Sequence, residues 1–367
     1  MGLAGLWYNW LMEFLSIDED TFRKFAAGYK DKSFYQTPEI AALRADSGWT
    51  AEYFAVKKGN DLLAASLILG KEKAFGFKEF YAPGGPLVDY EDKTLTTYFF
   101  KHLVRRLQEE KGLNLTIDPY YELIERDRDG LIKAGGFNYK KAAKNLEALG
   151  LKPLKTAIQP KYLFVLEING KTPDQLLMDF KRNTRNHVRK AEKMGVAVRE
   201  LEKNELNKFK KITEATSERR HFSDKPLSYY EKMYDLFHDR NEVKFMVAEA
   251  DIEGKTTVLS AAMFMTYGDE VIYLFSGSDE KYMRDYNAQY AIQWHMIKYA
   301  AENGFKTYNF YGIQGLPDEK AKDYGIYEFK KGFTTDESGR VVELIGTYEK
   351  KLSALYPLIK VLGKFVH

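Results

Sequence analysis

The sequence predicts an α+β protein made of two tandem copies of one module, each a mixed, mostly antiparallel β-sheet flanked by helices. Three observations predict it: the length, paired alternating apolar runs, and a repeat about half a chain apart. At 367 residues the chain exceeds the size at which one core usually keeps growing, and 44% hydrophobic and 15% aromatic residues suffice for two. The absence of cysteine excludes disulfides, thiolate nucleophiles and zinc–thiolate sites, and fits a reducing compartment. A cytoplasmic location is expected, with a peripheral position at the inner face of the membrane as its extension. No segment approaches the ~20 uninterrupted apolar residues of a membrane span. The nearest, "GLAGLWYNWLMEFL" at the start, is too short and lacks a basic leader, so residues 1–11 read as an N-terminal extension.

The stretches "YFAVKKGNDLLAASLILG" from Tyr53 and "KFMVAEADIEGKTTVLSAAMFMTYG" from Lys244 each read as a β-hairpin, apolar alternation around a polar, glycine-containing turn. A short strand follows each, "KEFYAP" and "EVIYLFSG". A helix comes next in both copies, "LTTYFFKHLVRRLQEEKG" and "AQYAIQWHMIKYAAENG", each ending on a glycine suited to a left-handed C-cap. Strands "LNLTIDP" and "FKTYNFYG" follow directly. Phe54 and Phe245 lie 191 positions apart, and Gly112 and Gly304 lie 192 apart, which argues for duplication rather than chance. The element order is that of an acetyltransferase-like (GNAT) module. The first domain is therefore expected over 12–156 plus 345–367, with the helical stretch "KKLSALYPLIKVLGKF" packing back on it, and the second over 157–344. The segment "LEALGLKPLKTAIQPKY" reads as the connection.

Between Lys181 and Lys193 six of thirteen residues are Lys or Arg, although the net charge of the chain is only +3. The pattern predicts one helix over Pro173–Met194, with Leu177, Phe180, Thr184, Val188 and Ala191 on one stripe, and Gly195 ending it. Arg182, Arg185, Arg189 and Lys193 recur on roughly the other side, together with Lys181 at its start. Like charges at these spacings repel by a few tenths of a kcal/mol per pair, roughly, so an anion is expected to compensate. No zinc finger, RNP sequence or helix-turn-helix accompanies the helix, which argues against sequence-specific DNA reading. An RNA backbone, a nucleotide pyrophosphate and an anionic membrane remain as partners.

The segments "KRNTRNHVRKAEKMGVAVRE", "YAPGGPLVDY" and "YNFYGIQG…YGIYEFKKGF…ELIGTYE" resemble the FemABX peptidyltransferases, and the resemblance runs from Met12 to the C-terminus. It implies two acetyltransferase-like domains and transfer of an amino acid (Gly, Ala or Ser) from aminoacyl-tRNA. The acceptor it implies is the stem-peptide amine of a peptidoglycan precursor, lipid II or its soluble UDP-linked form. Many members insert a long helical arm near "AEADIEGKTTVLS"; here only a turn occupies that place, so the chain is similar to the compact, armless members. By the same resemblance, Arg44, eight positions after Gln36, and Lys225 before Pro226 hold the precursor's phosphates. Asp118 in "LTIDP" lines the acceptor site, Tyr286 in "RDYNAQY" contacts substrate, Lys330 of "YEFK" is catalytic, and Phe329 walls its channel.

Aminolysis of an ester runs downhill, so neither a metal nor a cofactor is expected; aminoacyl-tRNA is a co-substrate. The chain carries no Walker loop, no G-x-G-x-x-G after a strand and no H-E-x-x-H. An ammonium on Lys330 would steady the developing oxyanion, and Asp118 would orient or deprotonate the acceptor amine. Two competing readings share the fold. Acyl-CoA-dependent N-acylation predicts an R-x-x-G-x-G loop before the long helix, and neither "EDKTLTTYFF" nor "RDYNAQYAIQ" has one. A non-catalytic RNA- or membrane-binding homologue would transfer nothing.

Overall fold

The first unit is assembled around a sheet buried on both faces: Phe54, Val56, Ala64 and Ile68 enter one core, and Ala55, Ala65, Leu67 and Leu69 enter the other. A computed structural model describes residues 12–313, 315–316, 318–321, 324–357 and 359. The expected extension over 1–11 lies outside the described residues. Two compact units divide the chain: the first takes in the chain up to Glu125, Gly135–Lys161 and Glu343 onward, and the second Arg126–Ala134 and Tyr162–Val342. Sequence reading assigns 126–134 to the first domain, but the segment lies in the second unit. The reason is local: the Tyr327 hydroxyl donates to the Arg128 carbonyl, and Lys331 pairs with Asp129.

In the first unit β1 (Met12–Ser16), β2 (Trp49–Lys58), β3 (Asp61–Glu72) and β4 (Lys78–Gly84) form an antiparallel meander. Next, β5 (Gly112–Pro119) pairs parallel to β4, in register from Glu79↔Asn114 to Gly84↔Pro119. The strand β6 (Glu122–Asp127) leads out of this unit, and β7 (Lys152–Pro153) is its short outer strand. The crossover helix Lys93–Glu109 is capped by Asp92, whose carboxylate accepts from the Thr94 and Leu95 N–H groups. Its buried residues Leu95, Phe99, Leu103 and Leu107 recur every four positions and face the core built on β4 and β5. Its end corrects the expected C-cap: Lys111, not Gly112, takes the left-handed conformation, with φ +58°. Gly112 is required for space, since a Cβ there would lie 2.7 Å from the Leu107 carbonyl oxygen.

The second unit repeats the plan with β8 (Tyr162–Glu167), β9 (Ala197–Glu200), β10 (Val243–Ile252), β11 (Lys255–Tyr267), β12 (Glu270–Ser278), β13 (Thr307–Ile313) and β14 (Gly339–Leu344). The final strand, β15 (Tyr348–Lys351), belongs to the first sheet, between β5 and β7. Residues 350–351 are thus strand rather than helix; beyond them Tyr356 and Ile359 pack on Leu113 and Phe77 of the first unit. The first sheet runs β1–β2–β3–β4–β5–β15–β7, and the second contains the run β9–β10–β11–β12–β13–β8–β14, the same plan position by position. β10 and β11 are joined through Glu253 (φ +55°) and Gly254 (φ +80°), a two-residue turn, so no arm is present there.

The expected single helix over Pro173–Met194 is two helices, Pro173–Asp179 and Arg182–Lys193, broken by extended backbone at Phe180 and Lys181. The break lets Phe180 turn fully inward, edge-on to Trp294 at 5.5 Å and Phe333 at 5.1 Å. Burying that ring contributes roughly 1.5–3 kcal/mol. Helix carbonyls freed at the break find a donor in Arg185, whose guanidinium bonds the Met178 oxygen at 2.7 Å and the Phe180 oxygen. Gly195, at φ +71°, ends the second helix as expected, and its N–H donates to the Glu192 carbonyl.

Candidate functional site

In the second unit β12 and β13 are parallel but share only three register pairs, Glu270↔Thr307, Val271↔Tyr308 and Ile272↔Asn309. Both strands bulge immediately beyond the last pair. On β12, Tyr273 pairs with Phe264 and Phe275 with Met263, leaving Leu274 over. On β13 three steps from Asn309 to Gly312 match two steps of β8, from Val165 to Leu163. The strands part there, and backbone groups near the end of β12 are satisfied from a helix instead. The Ser278 N–H donates to Thr216 Oγ1 at 3.1 Å, and its carbonyl accepts from Arg219 at 3.4 Å.

Lys330 sits beside this parting, on the helix Tyr324–Lys331. It is only 5% exposed, and its Nζ donates to the Gly312 carbonyl of β13 at 2.5 Å. Burial disfavours the ammonium and brings its pKa down to about 7. Phe329, the preceding residue, is half-buried and edge-on to Tyr290 at 5.0 Å and Phe333 at 5.3 Å. Tyr327 is mostly core, its hydroxyl spent on Arg128.

The cationic helix Arg182–Lys193 packs on the end of the Lys330 helix. A Cβ on Gly332 would lie 2.4 Å from Thr184 Oγ1, so only glycine permits the approach. The Lys181 N–H donates to the Gly332 carbonyl at 2.9 Å, and Lys181 Nζ pairs with Glu328 at 3.2 Å. His187 stacks on Tyr290 at 4.6 Å. The expected cationic face divides in two. Arg185 is turned back to cap carbonyls, and Lys181 is paired. Arg182, Arg189 and Lys193 are exposed and have no side-chain partner among the described residues.

The other predicted residues of this unit are more scattered. Lys225 lies on the exposed turn before the helix Leu227–Phe237, its N–H bonded to Asp224 Oδ1 at 2.9 Å. Its ammonium sits 5.6 Å from the Tyr229 ring, which is edge-on to Phe275, a residue of β12 beyond the parting. Asp224 in turn accepts from Lys210, Thr213 and Tyr230, so the turn is well anchored. Tyr286 ends the short turn Met283–Tyr286, half-buried, with its ring edge-on to Tyr282.

In the first unit Asp118 is buried at the end of β5. Thr347 donates to its Oδ1 at 2.9 Å and the Tyr81 hydroxyl to its Oδ2 at 3.2 Å. Burial nonetheless raises its pKa to about 6, against the opposing hydrogen bonds from Thr347, Tyr81 and the Gln159 backbone. Burial and the Asp118 charge push the Tyr81 phenol well up, and the half-buried Arg44 guanidinium opposes them, so Arg44 belongs to this neighbourhood. Gln36 does not serve as a ligand contact. Its amide is fully buried, donating to the Leu67 and Pro83 carbonyls and accepting from the Leu67 N–H. It pins the segment before the Arg44 helix against Gly85, where a Cβ would meet its Cδ at 2.4 Å. Sequence reading missed Thr347, Tyr81 and the Gly312 carbonyl, all supplied by other segments; the only local signal was the glycine itself.

The FemAB family profile matches residues 17–257 and 252–364. The aminoacyltransferase FemB of Staphylococcus epidermidis (strain ATCC 12228) is 26% identical over an alignment covering 93% of this chain and 95% of that protein. The aminoacyltransferase FemA of Staphylococcus aureus (strain N315) is 27% identical, covering 95% and 98%. The crystal structure of FemX superposes with a TM-score of 0.80 at 23% identity, over 95% of this chain and 99% of that one. A tandem GNAT protein from the clavulanic acid biosynthesis pathway shares the fold at a TM-score of 0.54 and 10% identity, over 93% and 99%.

Proposed function

The chain belongs to the FemAB family, and from that premise we infer that it is an aminoacyltransferase that builds peptidoglycan cross-bridges from aminoacyl-tRNA. The acceptor is the stem-peptide amine of a peptidoglycan precursor. The observation that carries this reading is Lys330: a buried amine, with no carboxylate bonded to it among the described residues, held on a backbone carbonyl where two parallel strands separate. Ordinary stability does not reward such a placement, since burying a charge without a partner is costly.

The chemistry follows from that amine. The acceptor nitrogen attacks the ester carbonyl carbon of the aminoacyl-tRNA, an N–C bond forms, and the bond from carbon to the ribose oxygen breaks. One proton leaves the attacking nitrogen and one reaches the ribose oxygen. A lysine titrating at about 7 serves both ends of that transfer. As ammonium it steadies the oxyanion and protonates the ribose; as neutral amine it takes the proton from the acceptor. This adds proton transfer to the expected role of an ammonium that steadies the oxyanion. Arg182, Arg189 and Lys193 meet the tRNA phosphates beside the reacting lysine. Arg44 and Asp118 of the first unit receive the precursor; in the second unit Lys225 and Tyr286 serve as substrate contacts.

The test is transfer from tRNAs charged with labelled Gly, Ala or Ser to lipid II and to its UDP-linked precursor. Wild-type protein is expected to label one acceptor. Lys330→Met should lower the rate by about 10²–10³ while tRNA binding stays within about twofold. Equal rates for the two proteins would remove Lys330 from the reaction, and no product with any donor would overturn the reading.

A further inference from the structure

We propose that Asn309 is a positioning residue for Lys330: its side-chain carbonyl holds the Tyr311 peptide in a left-handed turn that aims the Gly312 carbonyl at the lysine amine. The proposal rests on the reading of Lys330 as the transferring residue. Three features meet within four residues of β13. Asn309 is the last residue paired with β12, and the register with β8 slips between it and Gly312. Tyr311 adopts φ +61°, a region that bulky L-residues avoid. Asn309, with no exposed surface, accepts the Tyr311 N–H on Oδ1 at 2.8 Å.

These features share one cause. In a regular strand the Tyr311 N–H and the Gly312 carbonyl would take their places in the ladders to the neighbouring strands. Here a side chain captures that N–H, as Asn does in tight turns, and the bulge it closes turns the next carbonyl to Lys330 Nζ at 2.5 Å. A left-handed tyrosine is costly, and such strain persists where the surroundings over-determine it. The Asn309 clamp is one such determinant. The same clamp ends the pairing with β12, so the parting of the strands and the aim of the lysine have one origin.

The test uses the full chain and compares Asn309→Ala with Asn309→Ala/Tyr311→Gly. Glycine adopts positive φ without a clamp, so it restores the turn but not any packing lost with the asparagine. Asn309→Ala should lower kcat for transfer by about 10- to 100-fold with KM for the charged tRNA within about threefold. Hydrogen exchange of the segment 308–313 should speed up by about tenfold, and the second substitution should recover most of the rate. Should the alanine variant fail to fold, Asn309→Leu, which fills the volume without an acceptor, reads the same loss. Unchanged kcat in Asn309→Ala, or a double variant no faster than the single, would overturn the proposal. If the wild-type chain transfers nothing, the reading of the reaction fails by itself. Unchanged exchange at 308–313 would still sink the clamp independently.

Discussion

The two units lay out their strands in the same order, yet their central parallel pairs differ. In the first, β4 and β5 stay paired to the last residue, Gly84↔Pro119. In the second, β12 and β13 part after Ile272↔Asn309, and both bulge. The closed pair holds a carboxyl, Asp118, among three donors; the open pair has beside it an amine, Lys330, resting on one carbonyl. One duplicated frame thus yields two sites of opposite character, through a local choice at the ends of two strands. The lesson is that a β-bulge, which costs pairing, is what makes room for chemistry.

The widest way to test that contrast is stability against pH. Asp118 binds its proton more tightly in the folded chain than at its ordinary pKa of 3.8, so its contribution is full below about pH 4 and lost as pH rises through about 6. That loss amounts to about 3 kcal/mol. Lys330 has the opposite slope: its contribution is full above its ordinary 10.5 and is lost as pH falls through about 7, by a comparable or larger amount. Urea melts from pH 4 to 9 should therefore lose the lower slope in Asp118→Asn and the upper slope in Lys330→Met. A slope that survives its own substitution breaks the contrast.

A smaller effect sharpens it from the first unit. Gln36→Leu strands the Leu67 N–H and the Leu67 and Pro83 carbonyls beside the closed pair, and should cost about 2–3 kcal/mol in a denaturant melt. Arg185→Met should cost less, about 1–2 kcal/mol, because it removes only the donor that caps the helix break. The mildest change concerns RNA. Replacing Arg182, Arg189 and Lys193 together with Gln should flatten the salt dependence of tRNA binding by about two to three units of slope, whereas Arg185→Met leaves that slope within about half a unit. Equal slopes for both variants would mean that the exposed and the inward cations are not distinct.

Much of the frame was legible because it rests on local periodicity. Alternation from Tyr53 and from Lys244, and helices ending near Gly112 and Gly304, mark equivalent strands in both sheets. The break at Phe180 was not legible, since its apolar stripe runs on in helical register and only Trp294 and Phe333, far along the chain, draw the ring inward. Nor was the bulge: "YNFYG" alternates like any strand, and nothing in it announces a left-handed tyrosine. Asp118 was picked out by resemblance, but Thr347, 229 positions away, determines how it is held. By pattern alone Lys330 in "KKGF" reads as a solvated lysine; its burial comes from the packing of β13 and the cationic helix around its turn.

The most direct measurement is the titration of Lys330 itself, followed by NMR of ¹³Cε-labelled lysine, with Lys330→Met assigning the signal. A lysine resonance titrating near pH 7 and missing from the variant is the predicted result. A Lys330 signal that holds its proton up to the ordinary pH 10.5 would contradict the account of a buried, proton-sharing amine at the open strand pair.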